Sequence, residues 1–168
     1  ELAYVLGRGK VIAINGTNGK TTTTSLVGEI MKRHFQSVDV VGNIGNPYTK
    51  TAQNASEDTV TVAEISSFQL ETIHTFHPDV SAILNITPDH LNRHHTMENY
   101  VAVKERIAEN QTKNDICVLN YEDPYTKAFG EKCPAGVTYF SSAQKLEDGL
   151  YLDGEEICQA QGGRHRWL

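Results

Sequence analysis

An α/β fold built on a mainly parallel, doubly wound sheet is what this 168-residue sequence predicts. Short apolar runs recur along the chain, helix-like stretches separate several of them, and the first run passes straight into the glycine-rich segment "NGTNGKTTTTS". Strands and helices in alternation pair in parallel and bury both faces of the sheet.

The strands come first. "VIAI" (11–14), "VDVVG" (38–42), "TVTVAEI" (59–65), "VSAILNI" (80–86), "ICVLN" (116–120) and "VTYF" (137–140) are β-rich and bounded by turn residues. Lys20 to His34 sets Leu26, Val27, Ile30 and Met31 at helical spacing, and Met97 to Asn110 does the same with Tyr100, Val103 and Ile107. "GLYLDGEEICQ" holds two extended segments around Asp153 and Gly154, which predicts a small C-terminal antiparallel hairpin. The closing "RHRWL" follows Gly162 and Gly163 and completes no periodic element, as at the edge of a fragment.

The length suits one domain, residues 1–168. With 39% hydrophobic and 21% charged residues the chain has an ordinary globular composition, and no window reaches bilayer-spanning length. The start lacks a secretory pattern, and three scattered cysteines show no metal or redox spacing, so the expected setting is the reduced cytoplasm. A net charge of −6 without basic stripes argues against a nucleic-acid partner. An anionic ligand must therefore be met by a local site.

The loop after the first strand supplies one. A strand that enters a helix through a glycine-rich turn aims several N–H groups and the helix dipole at a single point. Gly16 and Gly19 let the backbone wrap a phosphate, Lys20 neutralises the β and γ oxygens, and Thr21 offers its hydroxyl to Mg²⁺. The spelling differs from GxxxxGK[ST], which would need glycine where Ile14 stands.

Other candidates lie at the same rim. Glu64 ends a buried run, at the carboxyl edge where ligands bind in open α/β sheets, and "NITPDHLNRHH" carries Asp89 and His90 from the end of another. Read alone, Glu64 is a strand-end charge, His90 a helix cap, and "GNIGNP", which places Asn43 at the rim, a turn. Lys104 falls in the middle of the apolar stripe of its helix at about 100° per residue. Either its stem is buried with the ammonium reaching water, or desolvation lowers its pKa and readies the amine for CO₂.

"GTNGKTT" resembles the ATP-binding loop of the Mur ligases and folylpolyglutamate synthetases, a family that joins a carboxylate to an amine through an acyl phosphate. "EISSFQLE" and "NITPDHLNRH" resemble the next two signatures of the Mur ligases, and the likeness runs from about Leu2 to Ile157. The resemblance implies ATP on Gly16, Thr17, Asn18, Gly19, Lys20, Thr21 and Thr22, and two Mg²⁺ ions held by Thr21, Glu64, His90 and a carbamylated Lys104. It makes Lys20, His90 and Lys104 catalytic, and puts the acyl substrate on Asn43, Ser66 and His90.

Within the family, "EISSFQL", "GNIGNP" and "NITPDHLNRH" resemble the D-glutamate-adding branch. That implies UDP-N-acetylmuramoyl-L-alanine and D-glutamate as substrates of a three-domain parent, expected to be a monomer, of which this chain is the central ATPase domain. The uridine-nucleotide domain and the amino-acid domain are then outside it. Two departures stand out: Asn92 replaces a frequent aspartate, and Arg166 falls where the family has the first asparagine of an adenine-side helix. An inert nucleotide-binding module and a generic P-loop or folate-type enzyme stay open as alternatives.

Overall fold

The computed structural model describes all residues, 1–168. Nine strands form one sheet in the order β2-β3-β1-β4-β5-β6-β7-β8-β9. β1 (Lys10–Asn15), β2 (Val38–Gly42), β3 (Val60–Glu64), β4 (Val80–Ile83), β5 (Ile116–Asn120), β6 (Gly136–Ser141) and β7 (Gly149–Asp153) run parallel. β8 (Glu156–Gln161) and β9 (Arg164–Trp167) add antiparallel at one edge. The parallel α/β fold and the hairpin around Gly154 are as the sequence predicts.

β9 is a correction. Gly162 and Gly163 have φ of 55° and 73°, the left-handed pair that a two-residue hairpin turn needs, so "RHRW" folds back onto β8 instead of trailing from it. Where the family resemblance leads one to look for an adenine-side helix, this chain has an edge strand.

The central strands are buried on both faces, and successive side chains alternate between two cores. Val11, Ala13 and Ala63 face one core, together with Ile83, Tyr100 and Ile107. Ile14, Val60, Val62 and Ala82 face the other, beneath α2 (Lys20–Lys32). Only part of the stripe expected on α2 is buried: Val27 and Met31 pack on the sheet, while Leu26 and Ile30 are 59% and 44% exposed. The inner face is narrow because Gly28 lies against Val40, where an added Cβ would come within 2.4 Å of the valine. That close approach turns Leu26 and Ile30 outward.

The second face carries short helices: α1 (Leu2–Leu6), α3 (Tyr48–Ala52), α4 (Ser67–Leu70), α5 (Leu91–His94), α6 (Met97–Glu105) and α7 (Pro124–Gly130). The helix expected to run to Asn110 ends at Glu105 and tightens into a 3₁₀ turn over Arg106–Ala108. No helix is long and apolar enough to cross a membrane.

Candidate functional site

The loop between β1 and α2 has backbone requirements that fix its glycines. Gly16 has φ of 153°, and a Cβ there would meet Leu84 Cβ at 3.1 Å; Gly19 is left-handed, with φ of 80°. Gly19 is also the N-cap of α2 and brings no side chain to bond the first turn. The opening N–H groups of a 13-residue helix are thus left for an external acceptor, which is the arrangement that suits a phosphate.

The loop is braced from β4's side. Thr17 N–H donates to Asn85 O at 2.9 Å and Asn18 N–H to Asn85 Oδ1 at 2.8 Å, while Asn85 Nδ2 returns a bond to Asn18 O at 3.0 Å. Thr17 Oγ1 also accepts from Thr87 N–H at 3.0 Å and lies 3.2 Å from the hydroxyl of Tyr100 on α6. Lys20 folds back over the loop, its Nζ donating to Thr17 O at 2.8 Å.

Behind the loop sits Glu64, 1% exposed at the end of β3. Thr21 Oγ1 donates to its Oε2 at 2.8 Å, and Asn43 Nδ2 to its Oε1 at 2.9 Å. The approach of Asn43 depends on Gly42: its φ is 100°, and a Cβ there would fall 2.1 Å from Glu64 O. Hydroxyl and carboxylate oxygens side by side are the hard donors that Mg²⁺ takes. No three His, Cys, Asp or Glu side chains gather closely enough to hold an ion by themselves. An ion here fits as one with few protein ligands, completed by water and phosphate.

Lys104 is 2% exposed, which removes the reading in which its ammonium reaches water. Its Nζ donates to Asn15 Oδ1 at 2.9 Å and lies 4.7 Å from the centre of the Tyr100 ring. Burial pushes its pKa down to about 7, with the charge of Lys20 adding to the shift and Asp89 opposing it. A neutral amine is therefore well populated near neutral pH. Asn15, fully buried and also donating to Ile65 O at 2.6 Å, was not singled out from the sequence; its position just before Gly16 was the available signal.

These parts meet. A cavity of about 250 Å³ is lined by Gly16 and Lys20 from the loop, Asn43 after β2, Ser66 before α4, His90 before α5, and Lys104 on α6. His90 caps α5 with a left-handed backbone, φ 51° and ψ 28°, and its Nε2 lies 3.4 Å from Asp89 Oδ2. Ser66 closes a capping box with Gln69. Glu64 and Thr21 do not line the cavity and join it through Asn43 and Lys20, while Thr17, Asn18, Gly19 and Thr22 form the loop and first turn outside it.

A parallel sheet whose first strand enters an uncapped helix through a glycine-rich loop, with charged groups at the neighbouring strand ends, defines a P-loop-type α/β domain. The chain belongs to the Mur ligase family: the pattern described as the Mur ligase middle domain matches residues 14–165. It is 64% identical over 157 residues to the UDP-N-acetylmuramoylalanine--D-glutamate ligase of Lachnoclostridium phytofermentans, covering 94% of this chain and 35% of that protein. With the like-named protein of Clostridioides difficile it shares 56% over 158 residues, 94% of this chain and 35% of the relative. The chain thus spans about a third of the length of these curated relatives.

Solved structures agree on the fold. The MurF ligase of Thermotoga maritima, crystallised with ADP, superposes with a TM-score of 0.73 at 19% identity, over 99% of this chain and 42% of that one. The FolC protein of E. coli, in complex with DHPP and ADP, gives 0.60 at 13% identity, over 98% and 49%.

Proposed function

We propose that this chain is the ATP- and Mg²⁺-binding central domain of a cytoplasmic peptidoglycan-precursor ligase. The parent adds D-glutamate to UDP-N-acetylmuramoyl-L-alanine through an acyl phosphate. The observation that carries the reading is the single cavity shared by Gly16, Lys20, Asn43, Ser66, His90 and Lys104. The D-glutamate assignment is supported by the names of relatives such as that of L. phytofermentans, 64% identical to this chain.

In this reading the substrate carboxylate attacks the γ-phosphorus of ATP, and the amino group of D-glutamate then displaces phosphate from the acyl phosphate. Transfer of this kind needs positioning and charge neutralisation more than a protein nucleophile. The N–H groups at the start of α2 hold the phosphate tail, and Lys20 swings from Thr17 O onto the β and γ oxygens. Thr21 and Glu64 would hold one Mg²⁺; Glu64, His90 and Lys104 as its carbamate would hold a second, and the ions supply charge neutralisation. Asn43, Ser66 and His90 orient the acyl substrate.

The uridine nucleotide and the amino acid are met by other domains of a monomeric parent, so this chain alone binds ATP and does not ligate. Titration with an ATP analogue, with and without Mg²⁺, tests it. Lys20→Ala is expected to weaken binding about tenfold or more, the scale of a lost charge-assisted hydrogen bond. Equal binding by the variant would remove Lys20 from its role, and D-glutamate-dependent ADP release by the 168 residues would refute the division of labour.

A further inference from the structure

His94 is absent from the expected site, yet it touches three of its walls. It ends α5, and its side chain is 2% exposed. Its Nε2 lies 3.0 Å from Ser67 Oγ on α4, and its Nδ1 3.5 Å from Glu71 Oε1 just past that helix. The ring stacks on Phe68 at 5.7 Å and 12° between planes, and leans on Tyr100 at 5.1 Å. Phe68 in turn contacts the ring of His90 at 5.0 Å. Ser67, Phe68, His90 and Tyr100 all line the cavity.

The surroundings of the ring favour one tautomer over the other. The Glu71 carboxylate 3.5 Å from Nδ1 favours the hydrogen on that nitrogen, the tautomer in which Nε2 accepts from the Ser67 hydroxyl. Burial holds the ring below the ordinary histidine pKa, and Glu71 only partly opposes this. Glu71 is itself gripped by Arg93, at 2.6 Å and 3.3 Å. The result is a chain of polar contacts from Arg93 through Glu71 and His94 to Ser67.

His90 needs such support. α5 has four residues and stands between His90 and His95, both at positive φ, 51° and 68°. A single turn bounded by two non-glycine residues at positive φ cannot hold itself, and such backbone persists only where packing over-determines it.

We propose that His94 is a positioning residue that holds the imidazole of His90 at the cavity by locking α5 to α4 through Ser67 and Phe68. The proposal rests on the reading above in giving His90 work to do at the phosphate end. It requires Ser67 to act as a strut and Phe68 as the spacer between two imidazoles, and it makes no use of either as a reacting group.

The test is made on the 168-residue chain, with nitrogen-15 spectra of the histidine rings and the through-space contact between His90 and Phe68. His94→Phe fills the space without a polar atom; it is expected to shift the His90 ring signals and weaken that contact. His94→Gln, whose amide oxygen can accept from Ser67, is expected to restore both. In the same variants, the gain in ATP-analogue affinity that Mg²⁺ provides is expected to fall about tenfold with Phe and to recover with Gln, binding without Mg²⁺ being unchanged.

His90 signals that stay put in a folded His94→Phe chain would make His94 a core filler and overturn the proposal. If that variant does not fold, Ser67→Ala decides: displaced His90 signals support the strut, and unmoved signals overturn it. A wild-type chain that binds no nucleotide would sink the functional reading, while the ring signals would still judge His94.

Discussion

The two ends of the sheet treat polar and apolar groups in opposite ways. Around the carboxyl ends of β1 and β3 the protein buries Asn15, Glu64 and Lys104 almost completely and pairs each with a named partner. At the β7–β9 end it leaves Leu152, Ile157 and Trp167 between 43% and 54% exposed. Buried charge is costly and exposed single hydrophobes are not, so the first region is where the fold has been constrained by something besides stability. The hairpin is an edge that the core tolerates.

Substitutions in the two regions should therefore differ sharply. The largest loss is expected from Gly42→Ala: a Cβ 2.1 Å from Glu64 O, on a backbone at φ 100°, has to displace the end of β2. Urea unfolding should show a loss of about 3–4 kcal/mol, and a loss under 1 would mean that this end is slack. Asn15→Ala removes the acceptor of the buried Lys104 amine and a donor to Ile65 O, and should cost about 2–3 kcal/mol by the same measurement.

Lys104→Met sharpens the contrast through pH. The unfolded chain keeps its lysine proton up to the ordinary value of 10.5, whereas the folded chain releases it near 7. Between those values the unfolded state binds more protons, so wild-type stability should gain from rising pH across that window, relative to the variant. Parallel stability curves for the two proteins from pH 7 to 10 would contradict a desolvated amine. Ile157→Lys, on the exposed face of β8, should stay within about 0.5 kcal/mol of wild type in thermal unfolding.

Much of this was legible in the residues. Every expected strand forms, because short apolar runs between turn residues leave the chain little choice, and the loop at Gly16 to Thr21 is written in residue types with one conformational use. β9 was missed because Gly162 and Gly163 read as an ending, although two adjacent glycines also make a tight hairpin turn. The exposure of Leu26 and Ile30 was hidden because helical spacing does not reveal that Gly28 lets α2 settle against Val40. His94 was invisible for a related reason: its partners Ser67 and Glu71 lie more than twenty residues away, and only the packing of α4 on α5 brings them together.

The central claim is that metal and phosphate gather at one end of the sheet. Titrating the chain with Mn²⁺ and an ATP analogue, while following paramagnetic broadening residue by residue, addresses it directly. The account predicts broadening at Thr21, Asn43, Glu64, His90 and Lys104, with β8 and β9 untouched. Broadening centred on the hairpin, or scattered over the surface with those five residues sharp, would contradict it.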